Sequence, residues 1–221
     1  MTHWRQNSDP FLAPDLGRSA LLVVDMQVDF VDGGTAPIPG TSAVLPAIAR
    51  LVDAYRESSA PIVHVVRLYE GDDVDLCRRR VIAAGLDLAR PGTAGSQVAP
   101  ELGVPALDPG SLLAGDLQAV SPTEHVLFKP RWSAFYRTGL DEHLRRWRVD
   151  TVVIAGCNYP NCPRATIVDA GERDYKVLAA ADAISGVDDR HLEEAGRIGV
   201  LHAETDEIVE ALQPPELEVI S

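Results

Sequence analysis

The sequence predicts an α/β fold: a three-layer, Rossmann-like open sheet, mostly parallel, with helices on both faces. Three observations carry this. Residues 20–24, 62–66 and 151–155 are short apolar runs rich in β-branched residues, the pattern of strands buried on both sides. Between such runs lie longer segments with helical spacing. The two kinds of segment alternate along the chain, as βαβ units require. At 221 residues, 46% hydrophobic and 24% charged, the chain has the apolar content for a single domain of this kind.

Residues 1–18, polar and broken by Pro10 and Pro14, read as an irregular lead-in to a domain over 19–213, with 214–221 as a tail. The first strand, 20–24, runs into Asp25. An acid there is costly to desolvate unless it is paired. Gly33, Gly34 and the 37–40 stretch punctuate a loop. Val44, Leu45, Ile48, Leu51, Val52 and Tyr55 then mark a helix over 42–57, and Pro61 precedes the second strand, 62–66. His64 lies inside that strand and reads as a core residue. A short helix is expected within 72–84, a loop at 91–95, and one or two helical turns within 105–120. The third strand is 124–128, ending at Lys129. An amphipathic helix over 138–147 takes Thr138 as its N-cap. After 151–155 come a helix from Pro163, a strand at 176–180, a helix at 191–198, a strand at 200–203 and a last helix at 205–212.

The net charge of −13 argues against nucleic acid or an anionic membrane surface as partner. No signal peptide and no apolar run of about 18 residues appears, so a cytoplasmic location is expected. Cys77, Cys157 and Cys162 have neither disulfide nor zinc spacing and read as reduced thiols. Without a G-x-G-x-x-G or P-loop motif, a nucleotide has no support, and no cofactor is expected.

Cys162 stands where a strand hands over to a helix. Gly156 ends the apolar run, Asn158, Pro160 and Asn161 form the loop, and Pro163 suits a first helical turn. A cysteine is more often a small buried hydrophobe than a nucleophile. Here, however, open α/β sheets place ligands at the carboxyl ends of their strands. Two other strands end there in chemically pointed residues, Asp25 and Lys129. Asp25 can take the thiol proton and return it to a leaving amine. Lys129 supplies compensating positive charge, and the backbone N–H groups of Asn158 and Cys162 suit a developing oxyanion. With a helix N-terminus and Lys129 near, the Cys162 pKa is expected to be depressed.

Leu22-Val-Val-Asp25-Met-Gln-Val-Asp29-Phe30, Lys129-Pro-Arg-Trp-Ser-Ala-Phe135 and Gly156-Cys-Asn-Tyr-Pro-Asn-Cys162-Pro-Arg-Ala-Thr166-Ile-Val-Asp-Ala170, in that order, resemble the isochorismatase-like cysteine hydrolases, relatives of nicotinamidases and N-carbamoylsarcosine amidases. The resemblance covers residues 20–212. It implies a catalytic triad of Asp25, Lys129 and Cys162, a cis peptide between Cys157 and Asn158, and a homo-oligomer, dimer or tetramer. It departs from the family pattern at Tyr159 and Pro160, where Thr and Asp are usual. The segment after the second strand holds acids but no histidine, so no catalytic metal is expected.

The function expected is hydrolysis of a C–N bond (amide, ureido or lactam) in a small molecule, with water as second substrate. Phe30, Tyr69, Trp132, Phe135, Tyr136 and Tyr159 are candidate pocket walls, and Arg67 or Arg131 could meet a substrate carboxylate. The alternatives are a thiol redox or sensing protein and a catalytically silent binding module.

Overall fold

The computed structural model describes residues 4–71 and 74–213. Its central strands, β1 (Ser19–Val24), β2 (Ile62–Val66) and β5 (Thr151–Gly156), are buried along their whole length. Around them lie β3 (Gln118–Ala119), β4 (Glu124–Phe128), β6 (Lys176–Ile184) and β7 (Leu201–Ala203), in the sheet order β3-β4-β2-β1-β5-β6-β7. All neighbours are parallel except β3, which pairs antiparallel with β4 at the edge. In register, Leu21 faces Ile62 on one side and Val153 on the other.

The period of two along each strand sorts its side chains between two helical layers. Leu21, Val23, Ile62 and Val153 point to a layer with α1 (Thr41–Glu57) and α7 (Thr205–Leu212), where Ile48, Leu51, Val52, Tyr55 and Ile208 cover them. Ala20, Leu22, Val63 and Ile154 point the other way, to α4 (Leu140–Arg146), α5 (Cys162–Gly171) and α6 (Asp189–Gly196), against Leu140, Leu144, Ile167 and Ala195. Each fully buried aliphatic side chain contributes roughly 1.5–3 kcal/mol. The three-layer sheet expected from the sequence is therefore present. No helix among the described residues is long and apolar enough to cross a membrane.

In detail, some of the sequence expectations hold and others do not. The lead-in has no strand, yet Trp4 is buried against the α1/α7 layer. The short helix after β2 is α2 (Leu76–Ala83), and the turns after 105 are α3 (Pro109–Ala114), started by Asp108 accepting from the N–H groups of Gly110 and Ser111. Asp72, Asp73 and the 214–221 tail lie outside the described residues. β3 escaped because two partly exposed residues carry no periodicity. β6 runs on to Ile184 through the polar Asp182, whose carboxylate leaves the sheet to accept from both Thr205 N–H and Oγ1–H at 2.8 Å. Gly139, not Thr138, holds the N-cap position of α4, yet Thr138 serves the helix start from one residue earlier: its hydroxyl accepts from Leu140 N–H at 3.3 Å and donates to Ala134 O. His64 is a core residue, 2.7 Å from Glu124 Oε1, which Arg56 also engages.

Candidate active site

The carboxyl ends of β1, β4 and β5 lie along one edge of the sheet. Asp25 follows β1 with φ +53°, a left-handed conformation that short polar side chains tolerate best. Its N–H donates to Val65 O, which fixes it over the end of β2. Lys129 follows β4 and donates from its N–H to Val66 O. The Lys129 ammonium, fully buried, then reaches Asp25 Oδ2 at 2.8 Å. Paired in this way, each charge offsets the desolvation cost of the other.

β5 ends at Gly156, with φ +120°, where a Cβ would stand 2.1 Å from Val24 O. Only glycine lets the chain pass this close to β1 and turn. Cys157 N–H returns to Val24 O, Tyr159 N–H to Ser185 O, and Asn161 N–H to Asn158 O. The N–H groups of Asn158 and Cys162 have no partner among the described residues. Cys162 opens α5, followed by Pro163. Thr166 holds this turn: its hydroxyl donates to Cys162 O and accepts from Ala134 N–H, joining α5 to the loop after β4.

Asp25, Cys162, Cys157, Asn158 and Asn161 line one cavity of about 280 Å³. Four of the sequence-predicted walls line it too: Phe30, Arg67, Tyr69 and Trp132. The other four do not. Phe135 is buried under α5, stacked at 5.9 Å on Tyr175. The Tyr159 ring packs at 4.8 Å on His191, and its hydroxyl donates to His191 O. Tyr136 is exposed, and Arg131 turns to Pro130 O. Aromatic bulk next to the loop before Cys162 is thus used to seat α5 and α6.

Two further expectations are corrected. No cis peptide occurs among the described residues, so the Cys157–Asn158 bond is trans. The left-handed φ of Gly156 makes the turn without a cis bond, which costs about 2.5–4 kcal/mol outside proline. The Cys162 thiol is pushed up, not down, to about 12. Burial is the main cause and the Asp25 carboxylate the next, and together they outweigh Lys129 and Arg67. The resting group is therefore a neutral thiol that shares its cavity with the Asp25 carboxylate.

Sequence reasoning also missed residues that shape the site. Gln27 donates to Arg67 O and Ser96 O and accepts from Arg67 N–H, all within 2.8 Å. Asp29 accepts from Ala89 N–H at 2.6 Å and Thr35 N–H at 3.2 Å, so it serves the loops. Asp75 pairs with Arg67 and accepts from Cys77 Sγ. The Tyr69 hydroxyl accepts from Arg67 Nε and donates to Asp75. This network holds the Asp75 carboxyl below its ordinary range although burial opposes it. Among the described residues no three His, Cys, Asp or Glu side chains gather into a metal-binding group.

Over residues 19–199 the chain matches the family model of the isochorismatase domain. It belongs to the isochorismatase family. Within that family it is 32% identical to a probable inactive nicotinamidase of Arabidopsis thaliana, covering 75% of this chain and 79% of that protein. It is 31% identical to a ureidoacrylate amidohydrolase of Methylorubrum extorquens, over 78% of this chain and 71% of the relative. An isochorismatase family protein of Desulfovibrio vulgaris superposes with a TM-score of 0.75 at 33% identity, covering 88% of this chain and 98% of the other.

Proposed function

We propose that this isochorismatase-family protein is a cysteine-dependent hydrolase of a C–N bond in a small amide, ureide or lactam. One observation carries the reading: a buried carboxylate, held by a lysine, shares a cavity with a cysteine at a helix start. The ureidoacrylate amidohydrolase among its relatives supports the same class of reaction.

The neutral thiol sets the order of events. As Cys162 Sγ bonds to the substrate carbonyl carbon, its proton passes to Asp25, so no free thiolate accumulates in a site that disfavours it. The carbonyl oxygen takes the new negative charge and is met by the Asn158 and Cys162 N–H groups; one such donor is typically worth about 100- to 1000-fold in rate. Asp25 then gives the proton to the leaving nitrogen as the C–N bond breaks, leaving a thioester. Water attacks the thioester with Asp25 again accepting a proton, and the acid departs with Cys162 regenerated as a thiol. Lys129 keeps the carboxylate in place and its charge compensated throughout.

Intact-mass measurement after rapid quenching with a panel of small amides is the test. An acyl adduct confined to Cys162 is expected. Turnover without any adduct, or turnover that persists in Cys162→Ala, overturns the reading.

A further inference from the structure

The charges lining the catalytic cavity do not balance. Asp25 is paired with Lys129, and Asp75 with Arg67. Arg67, a sequence-predicted partner for a substrate carboxylate, is therefore already taken: buried, ion-paired and hydrogen-bonded to Tyr69. Two more arginines line the same cavity, the half-buried Arg78 and the exposed Arg80, both from α2. Among the described residues neither side chain makes an ion pair or a hydrogen bond. Arg78 is half-buried, with its guanidinium carbon 5.8 Å from the centre of the Phe30 ring. Stacking of this kind steadies the planar group and leaves its N–H edge open, which suits two-point recognition of a carboxylate. The chain as a whole carries a net charge of −13, so an anion approaching elsewhere would be repelled.

From this we infer that the substrate carries a carboxylate, which Arg78 holds, assisted by Arg80, while its amide carbonyl lies at Cys162. The inference rests on the hydrolase reading and adds the substrate's charge to it. The volume sets the size. A cavity of about 280 Å³ has room for about nine water-sized groups, which fits a short chain with a carboxylate at one end and an amide at the other. Hydrolysis of such an amide acid consumes one water and releases a dicarboxylate and ammonia. Asp25 and Asp75 do not oppose the binding, because each already has its cation.

Matched pairs make the test clean. Succinamic acid and succinamide, and their five-carbon counterparts, have nearly the same shape and differ in charge. Wild-type kcat/KM is expected to favour the amide acid over the diamide by about 10- to 100-fold, the range of a charged hydrogen bond. That preference should shrink as ionic strength rises. Arg78→Gln should remove most of it through KM with kcat little changed, Arg78→Lys should keep part of it, and Arg78→Gln with Arg80→Gln should abolish it. Calorimetry with Cys162→Ala, or Cys162→Ser should the first fail to fold, reads the same preference in binding alone. If every pair is bound and used equally, or neither member of any pair binds, or the double variant keeps the preference, the carboxylate assignment is overturned. A charge preference in binding combined with turnover that does not need Cys162 would instead overturn the hydrolase mechanism and leave the carboxylate site standing.

Discussion

Lys129 Nζ lies 2.8 Å from Asp25 Oδ2, while Asp25 Oδ1, also sealed from solvent, has no hydrogen-bond partner. One oxygen is anchored and the other is left for a proton. In a buried carboxylate an unused acceptor is costly to keep, and Asp25 lines a cavity that Cys162 also lines. Asp25→Asn should therefore lower kcat by about 100-fold or more, since an amide cannot take the proton. Asn tolerates the left-handed backbone, so the chain should fold, although the unpaired Lys129 should cost about 3–5 kcal/mol in urea unfolding. More than about a tenth of wild-type rate in this variant is incompatible with Asp25 as the proton acceptor.

The two buried thiols make stability depend on alkaline pH. Burial pushes Cys157 up to about 11, and burial with the Asp25 charge pushes Cys162 up to about 12, from an ordinary 9.0. Between pH 9 and 11 the unfolded chain has lost these protons and the folded chain has not. Their contribution is then full below pH 9 and falls as pH rises. The urea midpoint should drop over that window, and drop less in Cys157→Ala with Cys162→Ala.

The same shift decides the order of alkylation. Cys77 is exposed and Cys162 is buried and neutral. Iodoacetamide near pH 7.5 should label Cys77 first, with Cys162 accelerating as the solution is made alkaline. Faster labelling of Cys162 at neutral pH would mean that the resting thiol is ionised.

Gly156 and Gly171 offer a paired test of backbone against space. Gly156→Ala places a methyl group 2.1 Å from Val24 O at φ +120°. It should destabilise by several kcal/mol and displace the loop that carries Cys162. Gly171, at the end of α5, has nothing within 4 Å of an added Cβ. Gly171→Ala should gain about 0.5–1 kcal/mol and leave kcat unchanged.

Gln27→Leu should strip three buried hydrogen bonds from Arg67 and Ser96. The stranded backbone groups should cost about 1–3 kcal/mol each at most. KM should rise more than kcat falls, because the wall that carries Arg67 and Tyr69 loses its tie while the Asp25–Lys129 pair is untouched. An unchanged KM would separate this tie from substrate binding.

Asp25, Lys129 and Cys162 were legible because each breaks a simple pattern: a charged or thiol group directly beyond a buried strand or at a helix start. The strands of the central sheet were legible as short apolar runs, and the main helices from their spacing. Gln27, Thr166 and Arg78 were not, because what they do depends on partners 40, 32 and 48 positions away in sequence. Phe135 and Tyr159 were assigned to the pocket by proximity in sequence to Lys129 and Cys162. Their rings instead pack on Tyr175 and His191, contacts 40 and 32 positions away that the sequence does not display. The direction of the Cys162 shift needed the depth of burial, which no motif encodes.

β2 contributes no member of the proposed triad, yet in the sheet order it stands between β1 and β4. It acts as a spacer. Adjacent strands lie about 4.8 Å apart, so Asp25 and Lys129 leave the sheet from rails about two strand-widths apart, and the long lysine stem closes the gap over the end of β2. Arg67, the residue directly after β2, donates from its guanidinium to Lys129 O at 3.5 Å. The span between Asp25 and Lys129 is therefore set by a strand that carries neither residue. Insertions at the tip of β2 would lift the bridge and detune the proposed site without touching Asp25, Lys129 or Cys162.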